Sequence, residues 1–163
     1  MLGSFPGARS LKERVYYGNP QNHFWLLIAR IFDTEVPTVY EERCELLLRC
    51  GIAVWDVYES CEREGSLDAA IRNPVANDFA GLLKHYPTIN RVLLNGSTAY
   101  AAFAKVFGLS RQNNAGTSSS EGLGKSGGTV KVFRLPSTSP VPSRAYRNIE
   151  DKLAPWRAAF MDS

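Results

Sequence analysis

The sequence is poor in the residues that build most metal and redox sites. Its three cysteines, Cys44, Cys50 and Cys61, include no CxxC pair. An odd, scattered set argues against a disulfide scaffold and against an iron–sulfur cluster, and points to reduced thiols inside a cell. The two histidines, His23 and His85, are far apart, which argues against a histidine-rich metal centre. No metal and no cofactor are therefore expected. No apolar run approaches the roughly 18 residues of a membrane span. The start, "MLGSFPG", lacks a basic stretch followed by an apolar one, so no signal peptide is read there. The expectation is a cytoplasmic protein, or a nuclear one in a eukaryote, with no membrane partner. Neither sign of charge dominates: a net charge of +3 permits a polyanionic partner without demanding one.

What is present suits one compact domain over residues 1–163. The chain is 44% hydrophobic and 21% charged, enough to enclose a core. Asn19-Pro20 reads as an N-cap and first helical position, followed by Phe24, Leu27, Ile28 and Ile31 at helical spacing, giving a helix over about 20–32. Thr38 with Glu41 reads as a capping box for a second helix closed by Gly51. "IAVWDV" (52–57), "RVLLN" (91–95) and "TVKVFRL" (129–135) read as buried strands. Helices are predicted around Phe79–Tyr86, ending at Pro87, and around Tyr100–Phe107, ending at Gly108. A last one runs from about Ser143 to Phe160, with Pro155 as a place for a kink. Strands alternating with helices predict an α/β fold, with a parallel sheet covered on both faces. A first strand should precede "GSFPG", where only Met1 and Leu2 stand; either that strand is very short or the chain starts further upstream. Residues 110–128, rich in Gly, Ser and Asn, read as a flexible surface loop.

In such sheets ligands gather at the carboxyl ends of the strands. The segments leaving those ends are "GSFPG", "DVYESCEREGSLD", "NGSTAY" and "LPSTSPVPSR". The opening stretch, residues 3–25, is unusual: it holds three glycines, two prolines, two asparagines and five aromatic residues. Glycines let backbone N–H groups approach a ligand, and "GSFPG" has them without the GK[ST] ending of a nucleotide loop.

Taken in order, "GSFPGARSL…YYGNPQNHFW", "WDVYESCEREGSLDAAI…NDF", "NG" and "LPSTSP" resemble the uracil-DNA glycosylase superfamily, most closely its hypoxanthine-DNA (deoxyinosine) glycosylase family. The resemblance spans nearly the whole chain outside 110–128. It implies a three-layer α/β/α sandwich around a four-stranded, mostly parallel sheet. It also implies a monofunctional DNA glycosylase, a monomer, that everts a deaminated base from DNA and hydrolyses its N-glycosidic bond. Base flipping is required because that bond is unreachable inside the stack.

One departure stands out. Relatives of the mismatch type carry Asn or Asp in the "GxNPG" or "GxDPY" turn, where it handles the water; here Phe5 takes that place. Asn22 is the amide expected to orient water or bond the base, its plainer alternative being a helix-start residue that satisfies backbone groups. Asp56 and Asp68 are each expected to orient water or bond the base edge, or else to serve as cap or loop residues. Gly3, Ser4, Phe5, Tyr17, Phe24, Asn77 and Asn95 are assigned to the base pocket. Phe24 is either the ring that stacks on the base, a core aromatic, or both; Asn77 begins a helix or faces the base; Asn95 bonds the base or braces a loop. Hypoxanthine and uracil share a carbonyl beside a ring N–H, an edge that a side-chain amide can read. In the loop after the last strand, Ser137, Thr138 and Ser139 are short donors for phosphate oxygens, with Pro140 stiffening them; Arg144 and Lys12 are candidate DNA contacts. The rivals are a superfamily member that binds damaged DNA or nucleotides without cleaving, and an enzyme of free nucleosides.

Overall fold

The computed structural model describes residues 1–108 and 130–161; the glycine- and serine-rich segment 110–128 lies outside them. In chain order the elements are β1 (Leu2–Gly3), α1 (Ala8–Glu13), α2 (Phe24–Ile31), α3 (Tyr40–Arg49), β2 (Trp55–Asp56), β3 (Tyr58–Glu62), a 3-10 turn (Asp68–Ala70), β4 (Arg72–Ala76), α4 (Phe79–His85), β5 (Arg91–Asn95), α5 (Gly96–Phe107), β6 (Lys131–Leu135) and α6 (Ile149–Met161). They form two compact units. One holds Met1–Phe5 and Trp55–Leu135, the other Pro6–Val54 and Pro136–Ser163.

The first unit contains the whole central sheet. Its four strands are all parallel, in the order β2-β1-β5-β6, so the chain is mixed α/β with a four-stranded parallel sheet. Val92, Leu93 and Leu94 are all buried; since successive residues point to opposite faces, both faces of β5 are covered. Leu2, Val57, Val92, Leu94 and Val132 join Phe79 and Phe103 in one core. Within it the rings of Phe79 and Phe103 meet edge to face at 5.2 Å. The strand expected before "GSFPG" is present and very short: Leu2 pairs with Trp55 on one side and Leu94 on the other.

Beyond β2 the chain makes an antiparallel hairpin, β3 with β4, that sequence periodicity did not announce. β4 contains Pro74, a residue tolerated in a two-stranded ribbon where one edge has no partner to supply. Helix α4 begins on Asp78, whose carboxylate accepts from the Gly81 N–H at 2.8 Å, and α5 ends on Gly108 at φ 64°.

In the second unit α2 packs on α6. Phe24, Leu27 and Ile28 from α2 and Trp156 from α6 have no exposed surface. Helix α3 ends in a Schellman turn: Gly51 is at φ 67°, its N–H reaches the Leu48 carbonyl, and the Ile52 N–H reaches that of Leu47.

Three helix starts differ from expectation. α2 begins at Phe24, four residues after Pro20, because Asn19 turns back on the chain: its Oδ1 accepts from Gln21 N–H and its carbonyl from Asn22 N–H. Thr38 makes no capping box, since α3 starts at Tyr40 with Val39 in the cap position. α6 starts at Ile149. Asn148 Oδ1 accepts from the Asp151 N–H while Asp151 Oδ2 accepts from the Asn148 and Arg147 N–H groups, a reciprocal cap that sets the boundary. Among the described residues no helix is long and apolar enough to cross a membrane.

Candidate active site

In the first unit the candidate residues collect where the sheet's connections reverse. From β1 the chain passes to β2 on one side, then crosses to β5 on the other. A crevice at the carboxyl ends of such strands is the usual ligand position of an open α/β sheet. Ser4 and Phe5 follow β1, Asp56 ends β2 in register with Gly3, and Asn95 ends β5 next to the Leu2–Leu94 pair. Asp68 comes in from the 3-10 turn between the hairpin strands: Ser4 Oγ donates to its Oδ1 at 2.7 Å.

Asp56 is buried, at 8% exposure. Burial pushes its carboxyl up to about 7, the charge of Asp68 adds to the shift, and Arg63 opposes it. A carboxyl poised near neutrality can hold a water as carboxylate and take a proton from it. Asn77 lies behind Asp56: its Nδ2 donates to the Asp56 carbonyl at 3.0 Å, and its N–H donates to the Val57 carbonyl. Its amide thus braces the end of β2. The Arg63 guanidinium sits over the Phe5 ring, 5.1 Å from its centroid. The first unit therefore brings together Gly3, Ser4, Phe5, Asp56, Asp68 and Asn77, with Asn95 one strand away.

The second unit holds the remaining candidates. Asn22 is not in the first helical turn but precedes it. Its Oδ1 accepts from the Phe24 N–H at 3.0 Å; among the described residues no group bonds its Nδ2. The plainer alternative is thus met by the oxygen, while the nitrogen stays available as a donor. Phe24 is fully buried. Tyr17 stacks on one face of it, with centroids 3.8 Å apart and an interplanar angle of 15°, and Trp25 and Trp156 meet it edge-on. Of the stacked pair it is Tyr17 that is half-buried. It is held at φ 53°, a conformation a bulky residue adopts only where its surroundings enforce it.

The backbone of loop 136–139 is bound carbonyl by carbonyl. Trp156 Nε1 donates to Pro136 O at 2.9 Å, His23 N–H to Thr138 O at 2.9 Å and Lys152 Nζ to Ser139 O at 2.7 Å. Thr138 is itself buried, so the accessible hydroxyls are those of Ser137 and Ser139. Each accepts a backbone N–H, from Ser139 and Val141 respectively, and each retains its own O–H to donate. Pro140 is half-buried beside them, and Arg144 and, on α1, Lys12 are exposed.

Sequence reasoning missed Arg63, His23 and Lys152. Arg63 sits in an exposed-looking charged run, and nothing in "IEDKLAP" marks Lys152 as buried. His23 carried a signal only in adjoining Asn22. Among the described residues no group of three or more His, Cys, Asp or Glu side chains is placed to hold a metal ion.

No protein-family model matches the chain. Two curated relatives named hypoxanthine DNA glycosylase do. The protein of Methanosarcina barkeri is 38% identical over 97 residues, 59% of this chain and 61% of that protein. That of Methanosarcina acetivorans is 36% identical over 100 residues, 61% of this chain and 63% of that protein. The match thus spans less than two thirds of either relative's length. In three dimensions the chain is similar to the solution NMR structure of a candidate uracil DNA glycosylase from Methanosarcina acetivorans. The TM-score is 0.70 and the identity 28%, over 98% of this chain and 86% of that one. By sequence the chain is similar to two hypoxanthine DNA glycosylases, and by fold to a candidate uracil DNA glycosylase.

Proposed function

We propose that the chain is a monofunctional DNA glycosylase that removes deaminated bases, hypoxanthine first and uracil second, and so initiates base excision repair. The observation that carries this reading is the likeness to two hypoxanthine DNA glycosylases, joined to a buried carboxyl tuned to about neutral pH at the sheet's switch point. The likeness to the solved relative extends over both units, which supports one glycosylase domain.

The target nucleotide leaves the stack before reaction. Asp56, as carboxylate, holds the water that attacks C1′, with Asp68 and Ser4 keeping its surroundings polar. As the C–N bond breaks, the sugar gains positive character and the base negative charge. Asn22 Nδ2, a fixed donor, bonds an oxygen or nitrogen of that base; such preorganised donors supply much of an enzyme's barrier reduction. Tyr17, backed by Phe24, offers a ring face for the everted base, a contact worth roughly 1–3 kcal/mol. Phe5 and Asn95 border the same strand ends as Asp56, with the Gly3 backbone between. Ser137 and Ser139 donate to phosphates, and Arg144 and Lys12 supply long-range attraction for the polyanion. The enzyme acts as a monomer inside the cell and needs no metal.

The test is incubation with labelled oligonucleotides carrying a single hypoxanthine or uracil. Alkali-sensitive abasic sites should form with hypoxanthine faster than with uracil. Tight binding of the inosine duplex without base release in single-turnover conditions would reduce the protein to a non-catalytic binder; turnover of free deoxyinosine alone would make it a nucleoside enzyme.

A further inference from the structure

Lys152 is the most deeply buried charged residue described, at 2% exposure. Among the described residues no carboxylate lies within ion-pair distance of it. A buried ammonium without a counter-ion is costly unless its hydrogens are used. Two are: one reaches Ser139 O at 2.7 Å, the other His23 Nδ1 at 3.1 Å. An ammonium has no lone pair, so His23 Nδ1 must be the acceptor in that contact. The ring's remaining proton is then on Nε2, which no described residue bonds. The main chain of His23 is fixed as well, through its N–H to Thr138 O and its carbonyl to Leu27 N–H.

We propose that Lys152 is a positioning residue for His23: by donating to Nδ1 it holds the imidazole uncharged with its proton on Nε2, presenting a fixed N–H donor beside Asn22 to an electron-rich oxygen of the everted nucleotide. The role in turnover rests on the glycosylase reading; the tautomer does not. The charges around the pair agree with it. His23 is held below its ordinary value, first by burial and then by Lys152. Lys152 is lowered by burial, with Asp151 opposing. Protonating His23 would put two cations 3.1 Å apart, so the ring resists charge and stays a neutral donor.

Nitrogen-detected NMR of the full chain near pH 7 reads the tautomer directly. A pyridine-type Nδ1 and a pyrrole-type Nε2 are expected; a pyrrole-type Nδ1 overturns the proposal, with or without base release. The variant Lys152→Met keeps an unbranched stem one atom shorter and removes the charge. In it the His23 ring, followed by NMR, should take up its proton at higher pH than in the wild type, and single-turnover base release at pH 7 should fall by up to about a hundredfold. An unmoved His23 titration overturns the proposal. Should that variant fail to fold, His23 itself decides. His23→Gln places an amide near the position of Nε2 and should retain more activity than His23→Asn, which places it near Nδ1; the reverse order overturns the proposal. If the acceptor is a base oxygen, His23→Asn slows release at saturating enzyme with duplex Kd held; if it is a phosphate oxygen, Kd rises as well. Should the wild type release no base, the glycosylase reading fails, and the tautomer spectrum still decides the role of Lys152.

Discussion

Burial of Asp56 costs the fold stability, and the same burial underlies its role in the proposed reaction. Its carboxyl is raised from 3.8 to about 7, so between those values the folded chain keeps a proton that the unfolded chain has released. Stability must therefore fall as pH rises through that window, by up to about 4 kcal/mol once both states are ionised. Asp56→Asn removes this cost, so its Tm should exceed the wild-type Tm above pH 7, while base release drops by about a hundredfold or more. Coincident melts of the two proteins at pH 8 would contradict the burial argument. Asn22→Ala should behave differently. It loses the bond to the Phe24 N–H, costing about 1 kcal/mol of stability, yet base release should fall far more than that loss explains. Full activity in single-turnover assays would remove Asn22 from the mechanism. Asn22 was picked out through the family resemblance and Asp56 through its place at a strand end; each had a plain structural alternative, and the Asn22 oxygen meets its own. Phe24 was ambiguous because its place on an apolar stripe suits a core as well as a pocket; it is fully buried, with Tyr17 stacked on it.

The elements were legible where a local signal marks their ends. β5 and the end of α5 fall where the apolar run and Gly108 put them, and Gly51 closes α3 through backbone geometry that glycine accepts most easily. A Cβ at Gly51 would meet nothing within 4 Å, so the cost of Gly51→Ala is conformational alone, about 1 kcal/mol, measurable as a lower urea midpoint. The helix starts were less legible: Asn19 and Thr38 look like caps and make none at the start of a helix, whereas Asn148 makes one beyond the expected start at Ser143. Loop 136–139 depends on a side chain from another element. Trp156→Phe keeps an aromatic side chain, smaller than indole, and deletes the donor to the Pro136 carbonyl; the lost bond should cost roughly 1–3 kcal/mol with a cavity cost added to it, and amide exchange in loop 136–139 should quicken more than in β5. Equal protection in both proteins would show that the bond does not hold the loop.

For the chain as a whole, the alternation of strands and helices carried the class of fold, and the parallel sheet follows from it. The order β2-β1-β5-β6, and with it the switch point beside Gly3, Asp56 and Asn95, agrees with a position expected for ligands from strand ends alone. The antiparallel hairpin and α1 were not visible, since exposed short elements leave no buried stripe. A modest net charge of +3 sets a further expectation: DNA affinity should fall log-linearly with salt, with a slope of about −0.9 per phosphate neutralised in duplex DNA. Arg144→Ala or Lys12→Ala should each lower that slope by about one if the residue meets a phosphate. A flat salt response in filter binding would rule out the phosphate contacts.

Which stretches become helix or strand, where glycine must close a turn, and which polar groups stand at strand ends are matters of near neighbours, so they can be read along the chain. Which polar groups meet is different. Ser4 finds Asp68 across 64 residues and Lys152 finds His23 across 129. Burial then changes what those groups are chemically, raising one carboxyl toward neutrality and leaving one ammonium with no carboxylate at ion-pair distance among the described residues. Those properties arise from loss of water and from long-range contacts, and neither leaves a mark on the local order of residues.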